Sequence, residues 1–468
     1  MKKVLKSILL LTIFLSLMFS LVGCNGQSDA NVDKEKEENE VEKEETKEPK
    51  VEKGFISFEK AKEVYNDEDY IFVDARLNDA YNGWKLDEIS RGGHIPEATD
   101  FSYNWLSVDV EDRDKKLKKV LDEKGIKKNK NIVVYGVKKD QYKKVYDYLK
   151  NEGYENLKMF DLNKWIDSEK KLVKLPNYEL IVPAKVVKDV LDNKKVETFE
   201  NTKDVKVVEA SWGEEKTSYK KGHIPTTFHI NTDAIEPPPA WMLGSPEVLK
   251  EFALSHGFRK DDTVIVTSAN QMAAYRVAVV LDYIGVKDVR VLNGGLAAWK
   301  RAGYKIEKES NQPKPVESFG AEIPANKDII MTIPELKENL GNDDFTLVDN
   351  RTWKEHIGES SGYSYHDKKG RIPNSVYGYA GIGDAYSLQY FRNIDNTMRN
   401  PKEIKEMWKK QDIDLDNQLA FMCGSGWRAA EVLTYAKVFG LENTVLYSDG
   451  WIGWSNDPDN PVETGNPE

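Results

Sequence analysis

The sequence predicts an α/β protein built three times over, each unit a mostly parallel sheet flanked by helices. Three observations predict it. Short apolar, β-branched runs alternate with helical patterns, as in "TVIVTS" (263–268) before "YRVAVVLDYIG" (275–285), and "LAFMCGSG" (419–426) before "AAEVLTYAKVFG" (429–440). The strands are continuously apolar, which is how strands covered on both faces read. The pattern also recurs with constant spacing: Ser268 to Trp299 is 31 positions, and so is Cys423 to Trp454.

A chain of 468 residues has room for about three domains. Its net charge of −11 leaves no basic stripe to neutralise phosphates, so nucleic acid is excluded as the main partner. The chain starts with Lys2, Lys3 and Lys6, then an apolar run from Ile8 to Val22 that is short for a membrane span. We read 1–23 as an export signal. The run ends in Leu21-Val22-Gly23-Cys24, which resembles the lipobox of bacterial lipoproteins. That resemblance implies cleavage before Cys24, lipid on its sulfur, and a protein held on the outer side of the bacterial cytoplasmic membrane. A plain signal or membrane anchor is the alternative. Residues 24–53 follow, rich in Lys and Glu with almost nothing to form a core. They predict a disordered tether with a reach of roughly 25–30 Å.

The three units are expected at 54–170, 178–306 and 323–468. In the first, "YIFVDAR" (70–76) is followed by "RGGHIPEA" (91–98), "NIVVYG" (131–136) and "MFDLNKW" (159–165). In the second, "VKVVEAS" (205–211) is followed by "KKGHIPTT" (220–227), "TVIVTS" and "VRVLNGGLAAW" (289–299). In the third, "FTLVDNR" (345–351) is followed by "KKGRIPNS" (368–375), "LAFMCGSG" and "TVLYSDGWIGW" (444–454). Sites in open parallel sheets form at the carboxyl ends of strands. Cys423 stands at such an end, and the matching slots hold Gly136 and Ser268.

Besides Cys24, Cys423 is the only cysteine. A lone thiol in an exported chain is a liability unless it is used. Residues 424–428 must wrap around its sulfur between strand and helix. Gly424 and Gly426 permit positive φ and close approach of a ligand to the amides. Successive inward N–H groups and a helix amino end make an anion nest and favour a thiolate. Ser425, Trp427 and Arg428 complete the loop, Arg428 adding a permanent cation with bidentate geometry. The candidate site is therefore Cys423 as nucleophile with Gly424, Ser425, Gly426, Trp427 and Arg428 as substrate-binding residues.

The Asp-x-Arg strand end, the Gly-His-Ile-Pro turn, the Cys-x-x-Gly-x-Arg loop and the Asn/Asp-Gly…Trp ending together resemble the rhodanese (sulfurtransferase) superfamily, over about residues 54–462 and three times over. The pattern is most similar to tandem three-domain bacterial thiosulfate sulfurtransferases with a lipoprotein signal. The resemblance implies three rhodanese-like domains and a loop cysteine that takes a sulfane sulfur from a small anionic donor. The resulting persulfide gives that sulfur to a thiol or cyanide. It implies no cofactor, and the six His and two Cys show no zinc-type spacing. Copies one and two lack the nucleophile and are expected to be catalytically silent, framing the third copy's pocket, docking a protein partner or supplying stability.

The expected donor is thiosulfate or a related anion, with mercaptopyruvate as the alternative. The Cys-Gly-Ser-Gly start resembles mercaptopyruvate enzymes, while Arg428 resembles single-domain rhodaneses. A phosphatase on the same fold would use Cys-x5-Arg, and this loop is Cys-x4-Arg. A surface-displayed binding or thiol-sensing protein with little turnover is the alternative of another class. Asp349 and Arg351 are expected to support the site, Asp349 by accepting loop N–H bonds and Arg351 by pairing with Glu355. His94 and His223 read as packing residues. Residues 376–400 read equally as a lid, with Tyr386 or Tyr390 at the rim, or as a packed surface loop.

Overall fold

A computed structural model describes residues 51–379 and 381–467. The expected export signal, Cys24 and the expected tether up to residue 50 lie outside the described residues.

Three sheets form, every strand pair in them parallel. The first comprises β1 (Tyr70–Asp74), β2 (Thr99–Asp100), β3 (Asn131–Gly136) and β4 (Leu157–Asp161), in the order β2-β1-β3-β4. The second comprises β5 (Ile181–Val182), β6 (Val205–Ser211), β7 (Phe228–Asn231), β8 (Thr263–Thr267) and β9 (Asp288–Leu292), ordered β5-β9-β8-β6-β7. The third comprises β10 (Ile330–Met331), β11 (Phe345–Asp349), β12 (Ser375–Tyr377), β13 (Gln418–Met422) and β14 (Thr444–Tyr447), ordered β10-β14-β13-β11-β12. The central strands β3, β8 and β13 are the buried apolar runs read from the sequence, and helices flank each sheet as a parallel arrangement requires.

The second and third units share one core. The helix Gln271–Ile284, which follows β8, packs on the helix Trp427–Val438, which follows β13, with Tyr275 and Tyr435 edge to face at 5.4 Å. Both helices are buried nearly all round, because each meets its own sheet on one side and the other helix on the opposite side. The first unit joins through polar bonds as well as packing. Trp84 donates to the Ile181 carbonyl at 2.9 Å, and Lys124 bridges Asp100 (2.8 Å) and Glu403 (2.5 Å).

Much of that junction is made by the end of the 376–400 segment. The Met398 amide donates to Asn293 Oδ1 (2.9 Å), Asn400 donates to Asp100 (2.9 Å), and Gln271 donates to the Asn396 carbonyl (2.9 Å). Asn293 also donates to Asp79 of the first unit at 2.7 Å. Asn293 stands as far after Ser268 as Ser448 stands after Cys423. The vacant loop of the second copy has thus become a socket in which the first copy and a strap of the third are seated.

Candidate active site

The Cys423 loop takes its shape from the strand before it and the short helix Gly450–Asn456 beside it. The Cys423 and Gly424 carbonyls accept bonds from Trp451 N (2.8 Å) and Ile452 N (3.0 Å). Their oxygens therefore point away from the sulfur's side. Gly450 is what permits this approach: its φ is +57°, and a Cβ there would lie 2.5 Å from the Gly424 oxygen. Gly295 occupies the matching place in the second copy, with φ +56° and a Cβ position 2.7 Å from the Ser268 oxygen, which is the physical reason for the glycine both endings share. The amides of Gly424, Ser425, Gly426 and Trp427 donate to no backbone acceptor among the described residues. They are left free to act as the expected nest, at the start of the helix Trp427–Val438.

Cys423 is 1% exposed and lines a cavity of about 460 Å³. Ser425, Trp427 and Arg428 line it too. Tyr363, Tyr365, Ala385 and Tyr386 form another part of the wall, and the second copy supplies the rest: Trp212, Thr232, Glu236, Trp241, Asn270 and Met272. Trp212, Tyr365 and Tyr386 are more than half exposed, so the aromatic rings form an open mouth. Glu236 is buried, accepting from Arg276 Nε (2.7 Å) and Trp427 Nε1 (2.7 Å). Burial raises its carboxyl above the ordinary range, and Arg276 opposes that rise.

Tyr363 lies directly on the nest. A Cβ on Gly424 would fall 2.0 Å from its hydroxyl oxygen, so only glycine leaves room for the phenol. That oxygen accepts from Arg428 Nη2 at 3.0 Å. Burial holds the phenol well above its ordinary range, in its neutral form. Tyr363, Tyr365, Trp212, Trp241 and Glu236 were not identified from the sequence. A cluster of aromatics outside the repeat motifs, at 212, 241, 363 and 365, was the signal available.

Two expectations about supporting residues are corrected. Glu355 pairs with Arg428, not Arg351. Its oxygens lie 2.9 Å from Arg428 Nη1 and Nη2, and both side chains are 1% exposed. Arg351 instead donates to Asp349 (2.7 Å) and to the Gly370 carbonyl (2.9 Å), and stacks on Trp451. Asp349 accepts no loop amide. It is taken by Arg351 and by His356 (2.8 Å), which overcome the effect of burial and hold its carboxyl well below the usual range. The physical reason is topological: Asp349 ends β11, one strand over from the loop, and its neighbours in sequence reach it first. Arg371 donates to the Gly465 carbonyl, while His94 and His223 stack on Tyr81 and Tyr219.

The 376–400 segment contributes to the cavity wall with part of its length and packs against the other copies with the rest. Tyr386 stands at the cavity mouth. Tyr390 does not; it packs edge to face on Tyr379 at 5.3 Å. Residues 393–400 form the strap described above.

The other two loops differ as their residues require. Ser268 Oγ accepts from the Asn270 amide at 2.9 Å and is fully buried. At Gly136, the place of a side chain is taken by Tyr142, 3.1 Å from where a Cβ would be. The first copy keeps the strand-end pair, Arg76 on Asp74 at 2.6 Å. The second has Glu209 and Ser211 there, and Glu209 is buried with no cation paired to it among the described residues. Burial pushes its carboxyl up to about 8.

Comparison with known proteins gives a consistent result. The family model described as "Rhodanese-like domain" matches residues 57–165, 192–302 and 332–457. The chain is similar to the thiosulfate sulfurtransferase YnjE of Escherichia coli, 36% identical over 394 residues, covering 84% of this chain and 88% of that protein. It is also similar to a solved anaerobic ergothioneine biosynthesis enzyme from Chlorobium limicola in complex with its natural substrate trimethyl histidine, with a TM-score of 0.83, 33% identity and coverage of 88% of this chain and 99% of that one. A variant of the enzyme EanB, solved as a cysteine persulfide in a tetrahedral intermediate state with ergothioneine, matches with a TM-score of 0.83 and 34% identity over 88% of this chain and 100% of that one.

Proposed function

The chain belongs to the rhodanese family and is a sulfurtransferase, and from that premise we propose that Cys423 carries sulfur as a persulfide to a cationic acceptor held in the aromatic cavity. The Cys423 thiolate attacks the sulfane sulfur of a small donor such as thiosulfate. The S–S bond breaks and sulfite leaves with the electron pair, its charge met by the free amides of residues 424–427. A nucleophilic ring carbon of the acceptor then bonds to the outer sulfur, the persulfide S–S bond breaks with its electron pair leaving on the Cys423 thiolate, and the proton that carbon carried passes to solvent.

The observation that carries the acceptor class is the wall over Cys423. Trp212, Trp241, Tyr365 and Tyr386 line it, and aromatic rings attract quaternary ammonium groups through their faces. The two guanidiniums nearby are already paired, Arg428 with Glu355 and Arg276 with Glu236. Trimethyl histidine, the substrate named for the Chlorobium limicola enzyme, has the chemistry this wall suits.

The test uses residues 51–468, loaded with thiosulfate, mercaptopyruvate or polysulfide and checked by intact mass for one added sulfur on Cys423. Loaded protein is then offered trimethyl histidine, a thiol or cyanide. Sulfur appearing on trimethyl histidine, absent in Cys423→Ser, supports the proposal. Transfer to thiol or cyanide alone would establish the second reading, a thiosulfate sulfurtransferase, which the likeness to the Escherichia coli protein favours. No adduct from any donor would leave the binding or thiol-sensing alternative.

The sequence before residue 50 supports a further part of the proposal: export and anchoring through lipid on Cys24. Cys24→Ala should release the protein from membranes. Retention with the apolar segment uncleaved would mean a plain membrane anchor.

A further inference from the structure

The second copy does more at Cys423 than supply a wall. Arg276 lies on its helix Gln271–Ile284, eight positions after Ser268, and is fully buried. It reaches across to the third copy. Its Nη2 donates to Ser448 Oγ at 2.8 Å, and its Nη1 lies 2.9 Å from where a Cβ on Gly426 would be. Nη1 is buried with no hydrogen-bond partner among the described residues. Burying a guanidinium without completing its bonds is costly, so its place against the loop is held from elsewhere. Glu236 holds it, with Nε donating to Oε1 at 2.7 Å, and the other carboxylate oxygen accepts the indole N–H of Trp427 at 2.7 Å. Trp427 opens the loop's helix, and Gly426 (φ +88°) is its N-cap. Glu236 and Arg276 thus bracket the carboxyl half of the sulfur-carrying loop, one at the Trp427 ring and one at the Gly426 backbone.

We propose that Glu236 and Arg276 are positioning residues for sulfur transfer, by which the second copy, itself without a nucleophile, holds the amide nest of the third copy in its reactive shape. The inference rests on the reading of Cys423 as the sulfur carrier. A nest serves a leaving group only when its N–H groups are aimed before the charge develops, and Gly426 has no side chain with which to hold itself. The bracket is therefore a requirement of the chemical step rather than of donor binding.

The molecule contains a control. Glu431 stands eight positions after Cys423, as Arg276 stands after Ser268, and pairs with Arg392 at 2.7 Å and 2.5 Å. Glu431 is fully buried on the helix Trp427–Val438, Arg392 is 12% exposed, and neither lines the cavity. The experiment compares Glu236→Gln and Trp427→Phe with Glu431→Gln in residues 51–468, measuring kcat and KM for thiosulfate, thermal midpoint, and single-turnover sulfur loading by intact mass. Trp427→Phe keeps an aromatic side chain, smaller by the five-membered ring, and removes the N–H that Glu236 accepts, so it tests the same bond while leaving the buried Glu236 carboxylate itself unchanged. The expected result is a fall of about tenfold or more in kcat and loading rate for both, with donor KM within about threefold, while Glu431→Gln lowers the thermal midpoint and leaves kcat unchanged. Parallel losses of midpoint with unchanged kcat in Glu236→Gln and Trp427→Phe would overturn the proposal and reduce the bracket to an ordinary interface. Failure of the unsubstituted protein to load sulfur would overturn the reading beneath it instead.

Discussion

Replacing Arg428 by Met separates two roles for this cation. Read from the loop alone, Arg428 binds the anionic donor, and its loss should cost donor affinity about 1.5–3 kcal/mol, the range for a hydrogen bond to a charged group, while sparing stability. The geometry predicts the reverse. Arg428 spends Nη1 and Nη2 on Glu355 at 2.9 Å each, and both residues are 1% exposed. Without it, the buried carboxylate keeps only the Thr352 amide and hydroxyl, at 2.9 and 2.8 Å. Breaking one side of such a pair costs about 3–5 kcal/mol, whereas replacing both by apolar groups is near neutral. Arg428→Met should therefore lower local stability by about that amount, and Arg428→Met with Glu355→Met should restore most of it. The sign with pH is fixed. Arg428 overcomes burial and holds the Glu355 carboxyl below its ordinary 4.5, so the pair's contribution is present above that value and lost as pH falls through the depressed one. The assay is amide hydrogen exchange of the helix Trp427–Val438 at neutral pH, alongside donor KM. An opening free energy within about 1 kcal/mol of the parent, together with a KM raised tenfold or more, would refute the reasoning and return Arg428 to the donor.

Asp79 at the three-copy junction is buried, and burial pushes its carboxyl from 3.8 up to about 7 despite the bond from Asn293. Since the folded state favours its protonated form, junction stability should fall as pH rises from about 4 through about 7, and Asp79→Asn should flatten that dependence in thermal melts. Glu209, raised to about 8, follows the same sign, so Glu209→Gln should stabilise the second copy above that pH and change little at pH 5; equal melts across the range would contradict this. Gly424→Ala should abolish sulfur loading because its Cβ meets the Tyr363 hydroxyl at 2.0 Å, and combining it with Tyr363→Ala should relieve the clash in the thermal midpoint. Ser268→Ala should leave kcat unchanged, since its hydroxyl is buried and serves only the Asn270 amide; a large loss of kcat would mean that the second copy takes part in the chemistry.

The difference between what was legible and what was not follows sequence separation. The sequence by itself determined that there are three α/β units, that each central strand is buried, and that one of them ends in a nucleophile on a glycine loop. Those features are written in local periodicity and in a repeat, both carried by residues near one another along the chain. The Gly450 turn belongs to the same class, since its need for positive φ is local. Tertiary structure decided the partners and the walls. Arg351 and Arg428 are both within reach of carboxylates, and spacing along the strand end suggested Arg351 for Glu355. The Thr352 capping box turns Glu355 toward Arg428, leaving Arg351 to Asp349. The cavity's chemistry was still less visible, because Trp212, Glu236 and Trp241 come from the second copy, about two hundred positions before Cys423. Their nearness to the thiol depends on two helices packing face to face through a shared apolar core. Hydrophobic burial makes that contact favourable but is non-directional, so which polar and aromatic groups it brings around the sulfur is settled only when the units have docked.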